Sequence, residues 1–199
     1  QMRSDARRNR ERLLAAAMSA FTEHGADDTS LEEIARRAGV GIGTLYRHFP
    51  TRQSLLESVY RDQVEALCER ARSLREQASP GEAIIAWLRA LVAFSLSKRN
   101  LISGLVGGSA KDGAAKDGAA GKDSPLFSAC RSEINEAAGS LLARAKEAGQ
   151  IRPDIEVSDL LRLSHGVVAA TDRLPDQASE AERLLDLMLG GIWQHQPQL

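Results

Sequence analysis

The sequence predicts an all-α protein. Three observations carry that prediction. Ala and Leu dominate a 199-residue chain that is 43% hydrophobic but only 4% aromatic, and such a composition favours helices over sheets. Apolar residues recur at three- and four-residue spacing in segment after segment, the period of one helical face. Glycines, prolines and short hydroxyl residues stand where helices stop and start.

The first helix is expected from about Asp5 to His24, with Leu14, Ala17, Met18 and Phe21 as its stripe and Gly25 at its end. Thr29 and Ser30 are both capable N-caps for the second helix, with Glu32 and Glu33 at capping-box spacing. Leu31, Ile34, Ala35 and Ala38 share one face of that helix, and Gly39 closes it. The third helix turns Leu45 and Phe49 inward and stops at Phe49-Pro50. Thr51 caps a long fourth helix, with Leu55, Leu56, Val59, Leu67, Ala71 and Leu74 inside.

Ser79-Pro80 opens the fifth helix, which reads Gly81 to Lys98 along Ile84, Trp87, Leu88, Leu91, Val92 and Phe94. Leu101, Ile102, Leu105 and Val106 suggest a short helix after it. The low-complexity run from Ala110 to Asp123 has no bulky apolar residue. It reads as a solvated loop, or as a mobile flap over a ligand site. Ser124-Pro125 opens a helix to about Ala148, capped by Gly149. Two more follow, from Ser158 or Asp159 to Ala170 and from Ala178 to about Gln194.

The pair of short helices between Thr29 and Phe49 points to chemistry. Thr44, Tyr46, Arg47 and His48 project outward from the third helix. Hydroxyls and basic groups on a short exposed helix suit phosphate oxygens and base edges in a DNA groove. The architecture is a helix-turn-helix with the second helix as reader. The net charge is −1, but distribution matters more than the sum. Arg3, Arg7, Arg8, Arg10 and Arg12 crowd the N-terminus, and Arg36, Arg37, Arg47 and Arg52 follow. A modestly basic face on a near-neutral chain implies that tight binding needs two copies of the site.

From Ala38-Gly-Val-Gly-Ile-Gly-Thr-Leu-Tyr-Arg-His-Phe-Pro-Thr-Arg-Gln-Ser-Leu-Leu56, the chain resembles the N-terminal domain of TetR-family transcriptional regulators. The match runs from about Arg8 to Val59 and covers roughly the first third of the chain. It implies a helix-turn-helix DNA-binding domain over 1–50 and a helical effector-binding and dimerisation domain over 51–199. Within the latter, 51–77 is the connecting helix and 107–124 a flexible loop.

The resemblance gives Tyr46, His48 and Arg52 phosphate-contacting positions. Arg52 stands where a charge and a helix N-terminus can share one phosphate. Thr44, near the start of the reading helix, is expected on a base edge or phosphate. Gly41 and Gly43 let the backbone approach DNA, or Gly41 only caps. Arg47 is either a base reader through guanine or a solvated arginine. Ile42 replaces a residue often polar in similar proteins and is placed to touch a thymine methyl. Thr29 caps and binds phosphate.

The same resemblance implies a small-molecule effector bound between the later helices, with loss of DNA affinity. Trp87, Leu91, Phe94, Leu105, Phe127, Cys130 and Ile134 are the pocket candidates by position, against ordinary core packing. His165 is a further candidate, against a satisfied interior histidine or one facing a partner. The apolar residues of the last two helices exceed what one domain of this size buries, and Gly166, Ala169, Ala170, Gly190 and Gly191 permit close approach. A four-helix interface in a homodimer is expected, with Leu161, Gly166, Leu185, Met188 and Ile192 on it, against helices that simply cap the internal core.

No nucleotide loop, nucleophile motif or metal spacing occurs, and the four histidines are scattered. The chain is read as no enzyme, with no cofactor and no metal. Cys68 and Cys130 read as reduced cytoplasmic thiols. No apolar run nears eighteen residues, so no membrane span is expected, and no leader is seen. The function expected is a cytoplasmic, ligand-responsive repressor that binds a palindromic double-stranded operator as a dimer and is released by a small apolar effector. The alternative is a DNA-binding regulator that answers to a protein partner or acts as an activator.

Overall fold

The structure, a computed structural model, describes residues 2–107, 125–172 and 174–193. The expected loop at 107–124 therefore falls, but for its first residue, outside the described residues. Eight helices make up the described chain: α1 (Met2–His24), α2 (Leu31–Ala38), α3 (Ile42–His48), α4 (Arg52–Gln77), α5 (Pro80–Gly107), α6 (Pro125–Glu147), α7 (Val157–Ala170) and α8 (Gln177–Ile192). Two compact units form, residues 1–63 with 97–128 and residues 64–96 with 129–199.

In the first unit, the α1 stripe supplies Leu13, Leu14, Ala17, Ala20 and Phe21 to the interior. Ile34, Ala35 and Ala38 come from α2, Leu45 from α3, and Leu55, Leu56 and Val59 from α4, all buried. The Tyr60 ring meets the Phe127 ring edge-on at 4.9 Å. Ser30 caps α2, its hydroxyl accepting from the Glu33 amide at 3.1 Å. Gly39 ends α2 at φ 65°, a left-handed conformation that glycine adopts without steric cost.

Thr29 does not cap. Its hydroxyl is buried and donates to the carbonyls of Gly25 (2.8 Å) and Ala20 (3.2 Å), tying the α1–α2 turn to the last turn of α1. The α5 helix also departs from expectation. It absorbs the short helix read at Leu101–Val106, because no proline or glycine interrupts the chain between Gly81 and Gly104.

In the second unit, Trp87 is fully buried and its indole N–H donates to the Leu67 carbonyl at 3.0 Å. Gly81 lets α5 start against Trp193: a Cβ there would stand 2.7 Å from the indole. The Gly81 amide donates to Gln150 Oε1 at 2.7 Å. Ile151 pairs with Trp193 in an isolated antiparallel bridge. Arg89 of α5 meets Asp186 of α8 at 2.6 Å. Leu160, Val167 and Val168 of α7 and Ala181, Leu185, Leu189 and Ile192 of α8 are buried.

One segment corrects the expectation about membrane spans. Pro80–Lys98 is long and apolar enough to cross a membrane by length and composition. Half of it is buried inside the protein, and Ile84, Trp87, Leu88 and Leu91 are the buried side chains. It behaves as a core helix, whose apolar run is satisfied by its neighbours in the fold.

Candidate nucleic-acid interface

The reading helix is held from below and presented above. Leu45 (0% exposed) and Phe49 (2%) anchor α3, while Ile42 (36%) and Tyr46 (46%) stand out. Gly41, Gly43 and Arg47 are exposed, and Thr44 and His48 half-buried. No heavy atom lies within 4 Å of where a Cβ would stand on Gly41 or Gly43, so the backbone here is open to a ligand surface. The Gly41 carbonyl accepts from the Thr44 amide at 2.9 Å. A seven-residue helix has little stability of its own; the two buried anchors and its neighbours hold it.

Charged side chains tie α2 and the start of α4 to α1 and the segment after it. Arg37 donates to Glu33 and, across from α1, to Glu23 at 2.9 Å each. The Glu23 carboxyl is held below its usual range, chiefly by the hydrogen bond from Ser19 and then by Arg37. Arg12 of α1 reaches the Gly39 carbonyl at 3.4 Å. Arg52, at the start of α4, donates to the Ala26 carbonyl and is half-buried. One of its donors is used there, and a guanidinium has five. Sequence reasoning missed Arg12 and Arg37 as ties between α1 and α2. The spacing of Glu33 and Arg37 was the available signal.

The effector candidates lie in different settings. Trp87, Leu91, Phe94, Phe127 and Cys130 are buried, Ile134 is half-buried, and His165 is exposed. The side chain of Leu105 lies outside the described residues. The second unit also has a half-open cleft of about 340 Å³ between α4 and α6. Cys68, Ala71, Arg72 and Arg75 line one wall, and Glu133, Glu136, Ala137 and Ser140 the other. None of the effector candidates lines it. Burial, and then the nearby Glu133, push the Cys68 thiol up, so it stays protonated.

The expected interface residues divide as well. Gly166 is exposed, Leu161 and Met188 are half-buried, and Leu185 and Ile192 are interior. Leu185 and Ile192 therefore serve the fold of this unit. The outward apolar side chains are Leu163 (46% exposed) and Leu187 (67%).

Two family models match the chain. That for bacterial regulatory proteins of the TetR family covers residues 13–59. That for the C-terminal domain of SbtR-like transcriptional regulators covers residues 79–194, more than half of the chain. The chain belongs to the TetR family of transcriptional regulators. It is therefore a helix-turn-helix, DNA-binding regulator of transcription, a class distinct from enzymes. A TetR regulator from Streptomyces coelicolor is similar over 94% of this chain and 99% of its own, at 38% identity and a TM-score of 0.78. One from Mycobacterium vanbaalenii is similar over 98% of this chain and all of its own, at 32% identity and a TM-score of 0.75. An HTH-type regulator of Staphylococcus aureus is 30% identical over 111 residues, which span 60% of that protein.

Proposed function

We propose that this TetR-family protein is a one-component repressor that acts in the cytoplasm. It binds inverted half-sites as a homodimer and leaves them when a small molecule enters its second unit. The observation that carries the DNA half of this reading is the two-sidedness of α3, with Leu45 and Phe49 buried and Ile42, Tyr46 and Arg47 exposed. Tyr46, His48 and Arg52 serve phosphates; Thr44, Arg47 and Ile42 face bases; Gly41 and Gly43 admit the backbone. Thr29 supports the turn through its buried hydroxyl rather than touching DNA with it.

The α4–α6 cleft supports the effector half. Ala71 and Ala137 give it apolar floor, and the arginines and glutamates give it polar edges. A small molecule that carries charged or polar groups beside an apolar part suits that lining. The α7–α8 side carries Leu163 and Leu187 beside Gly166, Gly190 and Gly191, where added Cβ atoms would meet nothing. A second copy of the chain packing there supplies the two-fold symmetry that inverted half-sites need.

The test is selection of duplexes from a random pool by the whole chain, followed by variants. Tyr46→Ala should weaken binding to every sequence, because phosphate contacts carry no sequence code. Arg52→Ala should do so too and lower the salt slope by about one per half-site. Thr44→Ala and Arg47→Ala should change preference at particular bases. Recovery of duplexes with no inverted repeat, or four variants that lose only thermal stability, would overturn the reading. Release of the selected duplex by a small-molecule fraction separates ligand control from control by a protein partner.

A further inference from the structure

The core stripe of α1 runs Phe21, Ala17, Leu14, and all three side chains are buried. Continued toward the N-terminus at the same four- and three-residue steps, the row reaches Arg10 and then Arg7. The face of α1 that builds the core thus changes, within one turn, into a face of arginines. Both arginines are exposed. A row of cations where a helix would otherwise pack apolar groups is not there to build this unit's interior.

Two contacts place the row. The Arg10 guanidinium lies over the Phe49 ring, 5.7 Å from its centre, and Phe49 is the C-cap of α3. Arg7 touches Glu11 at 3.5 Å, with both side chains largely in solvent at 81% and 63% exposure. Such a pair holds little energy and yields readily to a stronger anion. From Arg10 to the first residue of α1 the helix rises roughly 12 Å. That length spans about three successive phosphates at ~3.4 Å of helix axis per strand charge.

Among residues 2–12 there are five arginines against Asp5 and Glu11. This excess belongs to a chain whose total charge is −1. The cations are concentrated at the start of α1, and Arg10 among them meets the C-cap of the reading helix.

We infer that the first turns of α1 are a second DNA-contacting element, with Arg7 and Arg10 seated on backbone phosphates flanking the groove that α3 reads. The inference rests on the DNA-binding reading of α3 and extends it. Arg10 bridges the two elements: its guanidinium lies over the Phe49 ring on an exposed side chain. Arg7 adds charge one turn further along. These contacts lengthen the footprint and raise affinity for any sequence, leaving base choice to α3.

The test uses the whole chain, a mixed-sequence 40-base-pair duplex (a length of order four helical turns), and a duplex selected from a random pool. Binding is measured across salt concentrations for the parent, Arg7→Ala, Arg7→Ala with Arg10→Ala, Arg10→Lys and Glu11→Gln. Arg7→Ala should flatten the salt dependence by about one unit per bound protomer, and the double variant by about two. Glu11→Gln should tighten binding to both duplexes. Hydroxyl-radical footprints of the selected duplex should lose their outermost protected positions in the double variant and keep the central ones.

The Arg7 side chain is 81% exposed, so its variant reads charge without disturbing the fold. Arg10→Lys keeps the charge and should keep the slope. If the parent binds while Arg7→Ala and the double variant keep its slope and footprint, this inference is overturned and the reading of α3 stands. A loss as large in Arg10→Lys as in the double variant, with a lowered melting temperature, overturns the phosphate role of Arg10. Failure of the parent to bind any duplex overturns both readings.

Discussion

Single residues decide whether the reading helix is presented at all. Gly39 sits at φ 65° with a prospective Cβ 2.5 Å from the Arg12 guanidinium. The backbone conformation costs an L-residue about 1–2 kcal/mol, and Arg12, being flexible, can move aside. Gly39→Ala should therefore lower stability by about that amount, and Gly39→Asn by less, since asparagine tolerates the left-handed region. Thermal melts of the two variants measure the difference; equal melting temperatures for parent and both variants would contradict it. Glu23 gives a second test. Its folded pKa is lowered, so its contribution is present above the unfolded value and is lost as pH falls through the folded one. Glu23→Gln should flatten the acid side of the melting-temperature profile and leave the neutral side less changed. At this scale the sequence was partly legible. Ser30 and Thr29 looked equivalent as caps, and only the fold shows that Thr29 turns inward to two carbonyls. That choice depends on how α1 ends above it, which no local spacing records.

Elements were the most legible level. Helix periodicity, caps and the Ser-Pro starts placed all eight helices among the described residues, because each signal acts within one or two turns. The end of α5 was not legible: a separate short helix was expected at Leu101–Val106, but α5 runs on through it, and propagation of an existing helix is easier than starting another. The faces of α7 and α8 were harder still. Leu185 and Leu187 are alike in composition, yet one is 1% exposed and the other 67%. Which way a leucine-rich helix turns depends on where its neighbours lie. The two residues now separate the core from the exposed face. Leu187→Glu should shift sedimentation of the purified chain toward the monomer mass while helicity is kept. Leu185→Glu buries a charge and should lower the melting temperature steeply. If Leu187→Glu remains as large as the parent, the α7–α8 side is not the dimer face.

At the scale of the whole molecule, regulation requires that two sites share an equilibrium. Three helices, α4, α5 and α6, run from one unit into the other; α4 has residues up to Gln63 in one and from Val64 in the other. It begins at Arg52, beside the reading helix in sequence, and supplies Cys68, Ala71, Arg72 and Arg75 to the cleft. The α4–α6 cleft proposed for the effector was illegible in the sequence for a physical reason. Bulky apolar residues such as Trp87 and Leu91 were the natural candidates, but they are the ones the fold fills its interior with. Open space is left where alanines and charged side chains face each other, and their spacing resembles any solvated helix face. A ligand that prefers one arrangement of α4 over another shifts the population of DNA-competent dimers, and only by its differential affinity. Linkage then requires DNA to weaken ligand binding by the same factor, typically 5–150-fold for a coupling of about 1–3 kcal/mol. Ala137→Trp, which fills the cleft in the second unit, should abolish release by a ligand while operator affinity stays within about twofold, well under one such coupling. Calorimetric titration of ligand into free and DNA-bound parent should return the same ratio as DNA titrated into free and ligand-bound parent. If Ala137→Trp responds like the parent, the cleft is not the effector site; if ligand binds free and DNA-bound dimer equally, control does not run through α4.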